Sequence, residues 1–238
     1  MRHLVLFAAV AIAFACASAP QAPAPEKGSI WGYLQLVPRV GNKPHPLGSA
    51  SYGDGRLRDV VFVDYSRPGF AVVYVEESEE ESERTPGGQI RLTIRDTRVH
   101  SRIEPTHAAV MASGSVRVVN SSRESRVLSC PGTGLVRQLA PGESTVIELR
   151  EAGAYSLFLL DVPGAQSTVF AAPGPFAVVS ESGRFELRNL EPGRRRLGTW
   201  HPRAAPTSRW VDLVTGEVLR LDLEIGVGQK GGGDDGSH

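Results

Sequence analysis

The alternation of apolar and polar residues is the main structural signal along this chain. Residues 89–95 alternate cleanly, with Ile90, Leu92 and Ile94 on one side and Gln89, Arg91, Thr93 and Arg95 on the other. Residues 218–225 do the same, with Leu219, Leu221, Leu223 and Ile225 opposite Arg220, Asp222 and Glu224. A two-residue period predicts half-buried strands. Residues 60–63 and 70–75 are apolar throughout and rich in β-branched and aromatic side chains, which predicts central strands covered on both faces. Shorter strand candidates fall at 29–36, 115–119, 145–150, 155–160, 167–171, 176–179, 184–187, 195–200 and 210–213. Turn residues separate them, as in Pro86-Gly87-Gly88, Pro141-Gly142, Ser182-Gly183, Pro192-Gly193 and Thr215-Gly216. No sustained 3.6-residue period occurs beyond the N-terminus. The stretch 107–112 could pass as a helical turn, but it is short and leads to Ser113-Gly114. Many short strands punctuated by turns predict an all-β, sandwich-like protein.

Composition narrows the picture. The chain has 238 residues and 41% hydrophobic content, enough for one or two packed domains and too apolar for a disordered chain. Lys+Arg and Asp+Glu are both 26, so the basic excess of a general nucleic-acid binder is missing. Residues 4–15 form an unbroken apolar run after Arg2, the length of a signal-peptide core and too short to span a bilayer. Two processing readings follow: cleavage at the A-x-A site Ala15-Cys16-Ala17, or a lipobox-like Ala13-Phe14-Ala15-Cys16 with Cys16 as the lipidated first residue, although Phe14 departs from the small residues usual there. Residues 17–27 then read as an extended Pro/Ala tether. Both readings put the mature chain outside the cytoplasm, in the periplasm or lipid-anchored at the outer membrane, or secreted. With Cys16 lipidated or removed, Cys130 has no partner in its own chain, so stability must come from burial. The acidic run 76–84 reads as a solvated loop, and the Gly-rich tail 227–238 as flexible.

Two stretches resemble known families. The first is SGRFELRNLEPGRRRLGTWH at 182–201. It is similar to the carboxypeptidase regulatory-like module, with Gly183, Phe185, Leu187, Leu190, Pro192-Gly193, Leu197, Trp200 and His201 on the pattern and Arg195 where an aromatic is usual. The second, 103–172, resembles the cupredoxin-like domain of the methylamine-utilisation and plastocyanin-like proteins of bacterial envelopes. It does so through Ile103, Pro105, Ser115-Val116-Arg117-Val118, Asn120, Pro141-Gly142-Glu143-Ser144 and Ala152-Gly153-Ala154-Tyr155. The resemblances imply a cupredoxin-like Greek-key sandwich or barrel at 88–172, inserted in or next to a prealbumin-like β-sandwich made of 28–80 and 174–226; three sequential units are the alternative.

The copper chemistry implied by the second resemblance lacks its residues. A blue-copper site needs two imidazoles, a thiolate and a weak axial thioether. The family's first His follows the Asn, yet 121–127 contain none. The family's C-x-x-H-x-x-M run corresponds to Leu159, Val162 and Ala165, and no Cys, His or Met lies between 131 and 200. His100, His107, Met111 and Cys130 are the remaining candidates for a non-standard metal site, without any supporting ligand spacing. Cys130, in a turn-rich loop, reads as a buried small hydrophobe or an intermolecular cross-link. Trp200-His201 reads as core packing or a ring-binding pair, and Arg194-Arg195-Arg196 as a solvated face or a contact for anionic lipid. There is no G-x-S-x-G elbow or H-E-x-x-H motif, so no enzyme is expected. The expectation is a non-catalytic extracytoplasmic binding or scaffolding protein without cofactor or nucleic-acid partner, meeting other envelope components and held to the membrane if Cys16 is lipidated. The alternative is an electron-transfer or copper-handling protein.

Overall fold

The computed structural model describes residues 26–38, 64–76 and 87–227. The apolar run at 60–63, the leader-like segment, most of the tether, the acidic stretch at 77–84 and the tail from 228 lie outside the described residues. Among the described residues every regular element is a β-strand except one 3-10 turn at Pro131–Thr133. The first two strands are β1 (Gly28–Pro38) and β2 (Val72–Glu76). Then come β3 (Gln89–Asp96), β4 (Ser101–Glu104), β5 (His107–Met111), β6 (Ser115–Asn120), β7 (Arg126–Cys130), β8 (Leu135–Leu139), β9 (Ser144–Glu148), β10 (Gly153–Leu159) and β11 (Gln166–Ala172). The last six are β12 (Phe176–Val178), β13 (Arg184–Leu190), β14 (Gly193–His201), β15 (Ala204–Leu213), β16 (Val218–Arg220) and β17 (Leu223–Val227).

These strands make two sandwiches. In the first, sheet β4-β3-β6-β9 faces sheet β5-β11-β10-β7-β8, with β3 parallel to β6 and β5 parallel to β11. Its core contains Leu92, Ile94, Ile103, Val118, Leu128, Leu157 and Val169. In the second, β13-β1-β16, with β17 also on β1, faces β12-β2-β14-β15. Its core contains Ile30, Leu34, Val73, Phe185, Leu187, Leu197 and Ile225. Strands β1 and β2 thus pair with strands that follow residue 175, while β3 to β11 pair among themselves.

A third apolar cluster lies between the sandwiches: Val72, Tyr74, Phe170, Ala172 and Trp200, flanked by Phe70, Ala109 and Phe176. It explains the uninterrupted apolar run at 70–75. On β2, Ala71, Val73 and Val75 enter the second core, while Val72 and Tyr74 enter this seam. Strand β11 does the same from the other side, with Val169 and Ala171 in the first core and Phe170 and Ala172 in the seam. A strand covered on both faces has no polar alternation to show.

Two expectations are corrected. Residues 107–111 are a strand, not a helical turn, because β5 pairs in parallel with β11 from His107↔Thr168 to Met111↔Ala172. The Ala-rich run suits a helix locally, but pairing and burial override that preference. Residues 218–225 form two strands, interrupted at Leu221-Asp222. The register against β1 is unbroken, Trp31↔Arg220 and Leu34↔Leu223, but the Asp222 side chain, not a backbone carbonyl, accepts the Tyr33 N–H at 3.0 Å. The chains come so close here that a Cβ on Gly32 would sit 1.9 Å from the Leu221 carbonyl oxygen.

Candidate functional site

The pole of the first sandwich is where the resemblance puts copper ligands, so its side chains decide the chemistry. Asn120 ends β6 and is fully buried. Its amide nitrogen donates to the carbonyls of Glu124 (2.9 Å) and Leu139 (2.8 Å). Its oxygen accepts from the Ser122 N–H (3.0 Å) and hydroxyl (2.6 Å). That uses the donors and both lone pairs of the amide, so Asn120 holds the loop after β6 and has nothing left for a ligand. Leu159, Val162 and Ala165 are 3%, 7% and 4% exposed and belong to the first core. Their loop closes on itself: the Leu159 N–H donates to the Ala165 carbonyl at 3.0 Å and the Ala165 N–H to that of Val162 at 3.2 Å. The three positions that would carry thiolate, imidazole and thioether carry packed hydrocarbon.

Charge closes the rim. The Arg126 guanidinium lies 2.9 Å from Glu124, 3.2 Å from Asp161 and 3.8 Å from Asp96. Asp161 also accepts the Val127 N–H at 3.0 Å, tying the 159–165 loop to β7. The Ser101 hydroxyl and the Arg123 N–H hold the Asp96 carboxyl below its ordinary range. Asp161 is lowered as well: partial burial opposes ionisation, but the Val127 N–H, its own N–H and Arg126 outweigh it. These groups satisfy one another across the rim.

The remaining metal candidates are not brought together. His100 is exposed in the turn between β3 and β4. His107 and Met111 lie four positions apart on β5, ~13 Å along an extended strand. They share the β5 face of Ala109, which packs on the seam, whereas Cys130 is fully buried in the first core. Among the described residues no three His, Cys, Asp or Glu side chains cluster as a metal site would require. The pole therefore does not fit a blue-copper ion.

The imidazoles serve the seam instead. His107 stacks on Phe70 with ring centres 5.6 Å apart, and burial lowers its pKa. His201 is 7% exposed; its Nδ1 accepts the Arg203 N–H at 3.1 Å, and the ring donates to the Pro68 carbonyl. Burial, Arg203 and the neighbouring His107 push its pKa down. Trp200 stacks on Phe170 at 4.8 Å and meets Phe70 edge-on at 6.1 Å. Tyr74 covers Gly198 on the neighbouring strand so closely that a Cβ there would overlap the ring at 2.3 Å. Burial raises the Tyr74 phenol pKa, and Glu76 adds to the rise. Trp200 on Phe170 and His107 on Phe70 thus join one sandwich to the other, while His201 ties β14 to the segment before β2.

A feature that strand pattern alone does not reveal lies on the outer face of β4-β3-β6-β9. Arg91, Thr93, Arg95, Arg102 and Glu104 line an open groove of about 800 Å³. The alternation on β3 marks Arg91 and Arg95 as outward-facing, but only the register with β4 and β6 shows which arginines stand beside them. The cluster at 194–196 is different: Arg194 lies over the Trp210 ring at 4.9 Å, and Arg196 is paired with Glu76 at 3.2 Å.

No protein-family model matches the chain, and no curated protein does. Solved structures similar to it include a purple cupredoxin from Nitrosopumilus maritimus, 13% identical, with 34% of this chain aligned to 98% of that one at a TM-score of 0.31. Amicyanin from Paracoccus versutus is 14% identical over 38% of this chain and 87% of its own, at 0.29. Reduced auracyanin from Roseiflexus castenholzii is 13% identical over 37% and 100%, also at 0.29. No helix among the described residues is long and apolar enough to cross a membrane.

Proposed function

We propose that this chain is a non-catalytic extracytoplasmic binding or scaffolding protein, in which a cupredoxin-like sandwich works without copper. The observation that carries the reading is the pole: Leu159, Val162 and Ala165 are buried in one core beside an Asn120 whose hydrogen bonds are all made. Copper would need imidazole and sulfur donors at these positions, and adding them would replace packed hydrocarbon with polar groups. The second sandwich serves as a regulatory-like packing module. Gly183 at its β13 turn has φ 85°, and Phe185, Leu187 and Leu197 enter its core, which suits a structural use of the motif. Membrane attachment through Cys16 and an envelope location belong to the same reading, and loops on rigid sandwiches supply its contact surfaces.

A thermal melt with excess Cu(II), or with Cu(I) under reducing conditions, tests the reading. A ligand that binds only the folded state raises the melting temperature with its concentration. We expect no shift with either ion. A concentration-dependent rise with either ion that survives removal of His100 and His107 would overturn the proposal.

A further inference from the structure

The groove on the outer face of the first sandwich has the features of a built anion site. Arg91 on β3 stands in register beside Arg117 on β6. Four residues further along β3, Arg95 stands beside Arg102 on β4. Arg91 and Arg95 are four residues apart on one strand face, so the two arginine pairs lie ~13 Å from each other. Thr93 lies between them, and Thr106 and Ser121 add hydroxyls to the groove wall. Arg95 and Arg102 share Glu104, at 3.7 Å from Arg95. Among the described residues no carboxylate lies within ion-pair distance of Arg91, and Arg117 has only a 3.4 Å hydrogen bond to Gln89. Like charges side by side on one sheet face are destabilising without a counter-charge.

We propose that this face binds an acidic polysaccharide, with carboxylate or sulfate groups on the two arginine pairs and sugar hydroxyls on the Thr93, Thr106 and Ser121 side. Guanidinium forks match such oxyanions with two parallel hydrogen bonds. The separation of the two pairs suits an extended chain with charges at intervals. Among the described residues no aromatic ring lines the groove for a base to stack on, which disfavours single-stranded nucleic acid. The inference names a ligand class for the binding protein proposed above and does not depend on the copper-free pole, so copper uptake would leave it standing.

The test is a calorimetric titration of the purified protein with dextran sulfate and with oligogalacturonate, against neutral dextran. Both anionic chains bind, neutral dextran does not, and affinity falls with salt. Arg91→Gln/Arg117→Gln and Arg95→Gln/Arg102→Gln each weaken binding about tenfold or more, as expected for losing charge-assisted hydrogen bonds. Arg194→Gln/Arg196→Gln changes it less than about twofold, since that cluster lies on β14 of the second sandwich, outside the groove. Arg117→Glu separates binding from folding: it puts a carboxylate beside Arg91, keeps or raises the melting temperature, and weakens binding at least as much as Arg91→Gln/Arg117→Gln. The proposal is overturned if neutral dextran binds equally, if the Arg194/Arg196 variant loses as much affinity as the groove variants, if Arg117→Glu binds as tightly as the native protein, or if a single-stranded oligonucleotide binds more tightly than either polysaccharide through the same arginines.

Discussion

The pole of the first sandwich and the seam between the sandwiches are both closed by packing, but they use polar groups in opposite ways. At the pole, hydrocarbon occupies the positions where the resemblance puts copper ligands, and the rim carries Arg126 facing three carboxylates. Beside the seam, His107 stacks on Phe70 and His201 is buried next to Trp200 in sequence, and burial lowers the pKa of both imidazoles. An imidazole in a β-sandwich is therefore not a metal ligand by default. His201 spends its ring nitrogens on the Arg203 and Pro68 backbones, so it works as a bracket.

The largest break in this comparison comes from emptying the seam. Phe170→Ala removes the ring stacked on Trp200 and packed on Tyr74. Truncating a buried aromatic costs about 3–5 kcal/mol, so chemical denaturation should give a markedly lower midpoint and uncouple the two sandwiches into separate transitions. A single transition with an unchanged midpoint would show that the seam contributes nothing.

At the pole, Asn120→Ala leaves the Ser122 N–H without its acceptor and takes the amide donor from the Glu124 and Leu139 carbonyls, of which Glu124 keeps the Ser122 hydroxyl at 3.0 Å. Unsatisfied buried groups cost about 1–3 kcal/mol, so the variant should unfold at lower denaturant while its metal content stays the same. A change in bound metal with stability intact would mean that Asn120 guards a ligand site.

Acidity should separate the two regions further. The folded-state pKa values of His107 and His201 lie below the ordinary 6.5, so the unfolded chain binds protons that the folded one refuses. The seam's contribution is complete above pH 6.5 and declines as pH falls below it. The lowered carboxylates Asp96 and Asp161 act only further down, as pH falls through the range of their ordinary 3.8. Denaturation midpoints followed downward from pH 8 should decline first near neutrality, and His201→Gln should flatten that first decline. A wild-type midpoint that is constant until the carboxylate range would remove the histidines from the account.

The smallest effect is expected at the rim. Arg126→Gln breaks three ion pairs whose carboxylates keep 36%, 72% and 30% of their exposure, and ion pairs so open to water add little to stability, so the midpoint should fall less than in Asn120→Ala. The loss should shrink in high salt.

These features differ in how far the sequence exposes them. Strand β3 was legible because one of its faces is solvated, so its alternation survives. The unbroken run at 70–75 was legible as a strand covered on both sides, although what covered it was not. Strand β5 was misread because His-Ala-Ala-Val-Met has no local β signature, and its partner β11 lies about sixty residues away. The altered pole was legible because chemistry requires residue types that are missing from the relevant stretches. The arginine pairs were not, since Arg91 and Arg117 become neighbours only through a parallel register that no local pattern encodes.

Elemental analysis of protein produced with copper in excess, paired with its visible absorption spectrum, tests the central claim most directly. The packed pole predicts copper far below one equivalent per chain and no thiolate-to-copper colour. One firmly held copper per chain with intense colour that disappears in Cys130→Ser would contradict it.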